Sequence, residues 1–124
     1  MSFYVGNILN DTMENENFRK VLKTNANSQL VVMAIQPHDD IGMETHGEHD
    51  QFIRIEQGRG KAILNGEVFD IEDDFAVVIP AGTEHNITNE SDEVMKLYTV
   101  YSPAEHPDGT IDVTKADADA REGH

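Results

Sequence analysis

The chain has 124 residues, a length that suits one compact domain and leaves too little material for two independent cores. Lys and Arg number 9 against 24 Asp and Glu, which gives a formal net charge of -15 at pH 7. Nucleic acids and anionic membranes bind proteins through Lys and Arg, so this charge excludes both as expected partners. The absence of cysteine excludes disulfides, thiolate nucleophiles and zinc ribbons, and it suits a reducing compartment.

The predicted elements are nearly all strands. Alternating or apolar runs recur about every ten residues between Gly, Asn, Asp and Pro, which is typical of a β-sandwich or barrel. One segment, 18–24, could instead form a short helix. The predicted strands are 3–9, 18–24, 29–36, 43–46, 51–57, 61–64, 67–71, 75–79 and a segment from 87 that leads to 94–101.

The clearest local prediction is a tight hairpin at Asn65 and Gly66. Both residues tolerate a positive φ, which the two-residue turns of β-hairpins require. The flanking runs 61–64 and 67–71 alternate as paired strands do. We therefore expect these two strands to be antiparallel neighbours.

We expect one barrel domain over residues 1–110, followed by a polar tail over residues 111–124. The tail contains little apolar surface to offset the entropy cost of ordering, so a frayed terminus is the expectation. A short helix packed on a partner subunit is the alternative. The N-terminus shows no basic segment followed by an apolar stretch, and we expect a cytoplasmic protein without signal peptide or membrane span.

Six histidines are the main chemical resource of this chain, and imidazole is the commonest protein ligand for metals. If residues 43–46 form a strand, its period of two places Glu44 and His46 on one face. The next strand directs Gln51 to the same side as two isoleucines and Arg54 to the other. His38 and His106 lie among turn residues, where we expect surface positions. For His106 the alternative is a lid over the barrel.

The stretch 80–89 reads Pro-x-Gly-x-x-His-x-x-x-Asn, with His85 at the start of a strand. This pattern resembles the second motif of the cupin superfamily. Asp74 stands where that motif usually has Gly, and Asp also tolerates unusual backbone angles. The two cupin motifs match residues 44–58 and 74–89, so the resemblance covers the centre of the chain.

The first cupin motif reads His-x-His, three or four residues, Glu, six residues and Gly. Aligned on Gly58, it is degenerate, because Glu44 replaces the first His and Gln51 replaces the Glu. The resemblance implies a double-stranded β-helix, or jelly-roll, barrel whose interior holds a metal bound by the four matching residues. It assigns the metal to Glu44, His46, Gln51 and His85.

Two imidazoles, a carboxylate and an amide oxygen suit Mn, Fe, Ni or Zn. His49 is the reserve ligand, in place of Glu44, if the loop bulges inward. The alternative is a barrel without metal, in which His46 and His85 form hydrogen bonds and the barrel binds a small organic ligand.

An open metal site can polarise a carbonyl or hydroxyl, activate water or bind dioxygen. The run Gln-Phe-Ile-Arg-Ile-Glu-Gln-Gly at 51–58 resembles cupins labelled mannose-6-phosphate isomerase-like, which implies a sugar isomerase with Glu44 as a conceivable base. The alternatives are an iron-dependent dioxygenase and a metal-free binding protein. The small-cupin resemblance also implies a homodimer that takes a small-molecule ligand or substrate.

Overall fold

The computed structural model describes residues 2–123. Within these residues, two short helices flank ten strands, in keeping with the predicted all-β class. The elements, in chain order, are α1 (Ile8–Glu14), β1 (Arg19–Thr24), β2 (Gln29–Ile35), β3 (Glu44–Thr45), β4 (Asp50–Gln57), β5 (Gly60–Leu64), β6 (Glu67–Ile71), β7 (Ala76–Ile79), β8 (Glu84–Asn89), β9 (Met95–Ser102), β10 (Ile111–Asp112) and α2 (Lys115–Glu122).

The strands form two antiparallel sheets that enclose one interior. The larger sheet has the order β10-β1-β2-β9-β4-β7, and the smaller has the order β3-β8-β5-β6. Neighbours that are distant in sequence, such as β2 and β9, pair over their whole length. This arrangement is consistent with the predicted jelly-roll barrel.

The interior of the barrel is apolar at one end and polar at the other. Leu97 of β9 faces Ile55 of β4 across the ladder, and both are fully buried. Further along the same two strands, Tyr101 lies opposite Gln51. Buried apolar area supplies most of the stability of such a barrel, so the apolar end stabilises the fold. The polar end can therefore hold functional side chains.

The predicted hairpin is confirmed. β5 and β6 pair directly across the turn, with Leu64 opposite Glu67. The φ angles of Asn65 and Gly66 are 49° and 81°, as a turn with two left-handed residues requires. Segment 18–24 is strand β1, so the helix alternative for it is wrong.

Two terminal predictions are wrong. The segment 3–9 forms no strand, and its last two residues begin helix α1. Asn7 caps this helix, because its side chain accepts a hydrogen bond from the Asn10 amide. Residues 111–122 form β10 and α2, not a frayed end. Thr114 and Asp117 form a capping box at the start of α2, and the helix contacts β10 of its own chain. The division at residue 110 stays a prediction.

Among residues 2–123, no helix is both long and apolar enough to cross a membrane.

Candidate metal centre

The short ladder between β3 and β8 builds the centre. Glu44 lies opposite His85 in this antiparallel pair, so their side chains share one face. His46 follows β3 two residues after Glu44 and emerges on that same face. The rings of His46 and His85 are 5.2 Å apart between centroids.

Glu44, His46 and His85 form one cluster in which the potential ligand atoms all lie within 4.8 Å of one another. Nε2 of His46 is 2.9 Å from Oε2 of Glu44. Burial by itself raises the pKa of Glu44, but the neighbouring His46 outweighs it and the pKa lies below its usual value. The Glu44 carboxylate in turn raises the pKa of His46.

Each imidazole has an oxygen atom near its Nδ1, and for His85 the contact is a hydrogen bond. Nδ1 of His85 lies 2.9 Å from the backbone oxygen of Thr83, which can only accept a hydrogen bond. Nδ1 of His46 lies 3.4 Å from Oε1 of Glu105. A proton on Nδ1 leaves the lone pair on Nε2, the arrangement by which a second group orients a metal-ligating histidine.

Gln51 is buried, and its Nε2 donates to Oγ1 of Thr99 at 3.0 Å. Its Oε1 atom is buried and has no hydrogen-bond partner in the described part of the chain. His46 Nε2 is also buried without a well-directed hydrogen bond there, despite its short distance to Glu44. Buried polar atoms are nearly always satisfied, so an unpartnered Nε2 of His46 within a Glu-His-His cluster fits a divalent transition metal. Gln51 Oε1 is a second buried acceptor left without a partner.

The structure brings His49, the reserve ligand, to a different partner. Its Nε2 lies 2.8 Å from Oε2 of Glu105, and its Nδ1 lies 2.9 Å from the backbone oxygen of Pro103. Glu105 therefore contacts both His46 and His49. Within residues 2–123, His49 is outside the Glu44, His46 and His85 cluster.

The loop after β9 closes the polar end of the barrel. Gln29, fully buried, donates to the backbone oxygen of His106 and accepts from the amides of Glu105 and His106. His106 is buried and packs edge-on against Tyr101, so the predicted surface position is wrong. Burial and the nearby Arg19 and Arg121 lower the pKa of His106 to about 3.

Sequence reasoning missed two residues of this site, Arg19 and Glu105, and predicted Tyr101 only as part of the strand 94–101. The Tyr101 ring is 5.9 Å from that of His46, and burial raises the pKa of the Tyr101 phenol well above its usual range. Arg19, the first residue of β1, is 1 % exposed. Alternation along β1 puts Arg19 on the same side as the buried Val21. This pattern could have predicted from the sequence that Arg19 faces the interior.

The cluster opens into a cleft of about 490 Å³. Glu44 and His46 form part of its wall, and Glu105 and His106 come from the loop after β9. The end of α2 closes the cleft on the other side, through residues 121–122. Part of the segment that was expected to fray thus borders the candidate centre.

Two further residues of the second motif, Asp74 and Asn89, have backbone roles. Asp74, at the usual glycine position, has a φ of 71°, which explains why that position favours residues that tolerate left-handed angles. Asn89 is buried and donates to the backbone oxygens of Ile35 and Glu93. The exposed His38 lies in a turn and pairs with Asp92, away from the cluster.

Residues 31–101 match the cupin domain family, so the chain belongs to the cupins. It is similar to the uncharacterized protein YrkC of Bacillus subtilis strain 168, with 44% identity over 96% of this chain and 67% of that protein. It is equally similar to protein L612 of Acanthamoeba polyphaga mimivirus, with 44% identity over 90% of this chain and 72% of that protein.

A solved structure with close similarity is BH2720 from Bacillus halodurans. It shares 41% sequence identity and superposes with a TM-score of 0.93 over 94% of this chain and 93% of that one. The family match identifies a cupin, and the superposition shows that this chain and BH2720 share one fold. The resemblance to mannose-6-phosphate isomerase-like cupins stays a prediction.

Proposed function

We propose that this cupin binds one divalent transition metal, Mn, Fe, Ni or Zn, and acts on a small polar or carbonyl compound in the adjoining cleft. Glu44, His46 and His85 would hold the metal, with Gln51 Oε1 as the fourth protein ligand. The observation that carries the proposal is the cluster of Glu44, His46 and His85, whose potential ligand atoms all lie within 4.8 Å of one another.

A bound divalent metal supplies Lewis acidity toward a carbonyl or hydroxyl oxygen. The protein supplies the rest. Glu44 lines the wall of the cleft, where the carboxylate oxygen that does not hold the metal could accept a proton from the substrate, which is the role proposed for it as a base. Glu105 and His106 of the loop after β9, and the end of α2, line the rest of the cleft.

A second candidate, an iron-dependent dioxygenase, is favoured by the composition of the cluster. Two histidines and one carboxylate are the ligand set of many non-haem iron sites with open positions. The two candidates share the site and differ in their consumption of oxygen.

The test uses the full chain, stripped with a chelator and restored with Mn, Fe(II), Ni or Zn. Small hydroxy-carbonyl compounds are incubated in D₂O, and exchange beside the carbonyl is followed by NMR while an electrode records oxygen. We expect metal-dependent exchange in the wild type and in His38→Ala, and none in His85→Ala. Oxygen uptake with iron would favour the dioxygenase. Ligand-induced thermal stabilisation without turnover under any metal would favour a binding protein.

Three expectations about the whole protein stay predictions: a homodimer, a cytoplasmic location and a small molecule as the main partner. Light scattering of the purified chain measures the first. A mass of one subunit in solution would contradict it.

A further inference from the structure

Arg19 is a buried cation at the polar end of the barrel. Its Nη1 lies 3.0 Å from Oε1 of Glu122 and 3.6 Å from Oδ2 of Asp112. Its Nε is buried and has no hydrogen-bond partner within residues 2–123. A guanidinium is a planar fork that matches a carboxylate, and burying one with an unused donor is costly.

The end of α2 brings a second guanidinium to the same place. Nη2 of Arg121 is 3.2 Å from Oε1 of Glu122 and 2.8 Å from Oδ2 of Asp112. The Glu122 carboxylate therefore contacts Arg19 and Arg121 at once. Arg121 and Glu122 border the cleft that contains Glu44 and His46.

His106 adds another unused donor. Nη2 of Arg121 lies 3.4 Å from Nδ1 of His106, and because arginine can only donate, Nδ1 is the acceptor of this contact. The proton of the neutral ring is then on Nε2, which is buried and unpartnered in the described structure. Two buried N–H groups, Nε of Arg19 and Nε2 of His106, thus lack an acceptor in the described structure. His106 lines the cleft, and Arg19 reaches it through its contact with Glu122.

We propose that Arg19, Arg121 and His106 form a carboxylate-binding subsite of the cleft, and that Glu122 occupies it as an internal stand-in for a substrate carboxylate. Glu122 is the last residue of α2, its side chain is 19 % exposed, and its Oε1 also lies 3.7 Å from Nδ1 of His106. In this proposal the carboxylate of the ligand displaces that of Glu122. Exchange of one carboxylate for another leaves the local charge unchanged. A phosphate dianion would add negative charge beside Asp112 and Glu105, which favours a carboxylate.

The subsite and the proposed metal centre together define a substrate class. This assignment of a substrate class rests on the proposed function. A small 2-oxo or 2-hydroxy acid has an oxygen for the metal next to a carboxylate for the arginines. Carboxylate binding itself needs the arginines and not the metal. The two proposals are therefore testable separately.

The probe is pyruvate, titrated calorimetrically into chelator-treated protein, with uncharged pyruvamide as the matched ligand. We expect pyruvate to bind and pyruvamide not to bind. Glu122→Gln removes the internal competitor, and we expect pyruvate to bind about tenfold more tightly, because a hydrogen bond to a charged group is worth about that factor. We expect Arg121→Gln to bind it about tenfold more weakly.

Glu48→Gln is the control, because Glu48 is exposed and outside the lining of the cleft. Equal binding of pyruvate and pyruvamide, or unchanged affinity in both Glu122→Gln and Arg121→Gln, would overturn the proposal. Tighter binding of inorganic phosphate than of pyruvate would overturn the carboxylate assignment. Arg19→Gln is avoided as the main test because Arg19 is buried.

Metal is then added to the same samples. Tighter binding of pyruvate with metal supports both proposals. Unchanged binding of pyruvate, with the Glu122→Gln and Arg121→Gln effects intact, supports the carboxylate subsite and counts against metal contact with the substrate.

Discussion

Oε1 of Glu105 lies 3.4 Å from Nδ1 of His46, although one residue belongs to the loop after β9 and the other follows β3. The contact places a carboxylate behind a proposed metal-ligating imidazole. Such a carboxylate fixes the tautomer and the ring orientation and makes the imidazole a stronger ligand. The loop that closes the cleft thus also supports the candidate metal centre.

Glu105→Gln is expected to weaken metal binding about 10- to 100-fold, the usual effect of removing a group that orients a ligand. The substitution keeps the shape of the side chain and removes its charge. Competition with a chromogenic chelator measures the affinity. Glu48→Gln, an exposed change in the loop between His46 and His49, is the control. Equal affinity of both variants would show that Glu105 does not act on the metal.

Gln51→Glu tests the fourth ligand. If Oε1 of Gln51 faces the metal, a carboxylate there is a stronger ligand than an amide, and we expect metal affinity to rise about tenfold. If Gln51 faces no metal, the change only buries another negative charge, and the free energy of unfolding falls with no gain in affinity. Calorimetric titration and urea unfolding of the same variant separate these results.

The local parts of this structure could be predicted because they depend on short-range rules. The hairpin at Asn65 and Gly66 needs two residues that tolerate positive φ. The shared face of Glu44 and His46 needs only the period of a strand. His85 was predicted from its motif. For these residues a few neighbours in sequence determine the geometry.

Arg19 and Glu105 were missed, and the helix α2 was only the alternative to a frayed tail, because distant contacts determine their positions. Arg19 is tolerated in the interior because Asp112 and Glu122 return to it from the end of the chain. The polar composition of the tail suggested fraying, but its ion pairs stabilise α2 on the barrel. The sequence signal for this helix was the Thr114 and Asp117 capping box.

Asp112→Asn tests those ion pairs. Asp112 is buried, and the hydrogen bond from Arg121 lowers the pKa of its carboxyl below 3.8. Removing one partner of a buried pair costs about 3 kcal/mol at neutral pH. The ionised Asp112 carboxylate makes its full contribution to the free energy of unfolding above pH 3.8. This contribution is lost as the pH falls below 3.8 and through the lower pKa that Asp112 has in the folded state.

Urea unfolding of wild type and variant from pH 7 downward measures this difference. We expect the gap in the free energy of unfolding to be largest near neutrality and to shrink below the ordinary carboxyl pKa of 3.8. Asp108→Asn, an exposed change in the neighbouring loop, should have little effect. A gap that stays constant down to pH 3 would contradict the assigned pairing.

The substitution Gly60→Ala tests how closely β5 and β8 pack in the smaller sheet. A Cβ added there would lie 1.8 Å from the backbone oxygen of Thr88 on the paired strand. We expect Gly60→Ala to lower the free energy of unfolding by about 3 kcal/mol, the upper end of ordinary overpacking. Gly47→Ala is the control, since no described atom lies within 4 Å of its added Cβ. Equal stability of the two variants would show that β5 and β8 are not paired in this register.

The central claim is that Glu44, His46 and His85 hold a divalent metal. The most direct test is elemental analysis of the native chain, purified without a chelator or an affinity metal, beside His46→Ala, His85→Ala and the exposed control His38→Ala. We expect about one equivalent of metal in the wild type and the control and little in the two cluster variants. Metal content that is substoichiometric and equal in all four proteins would contradict the claim.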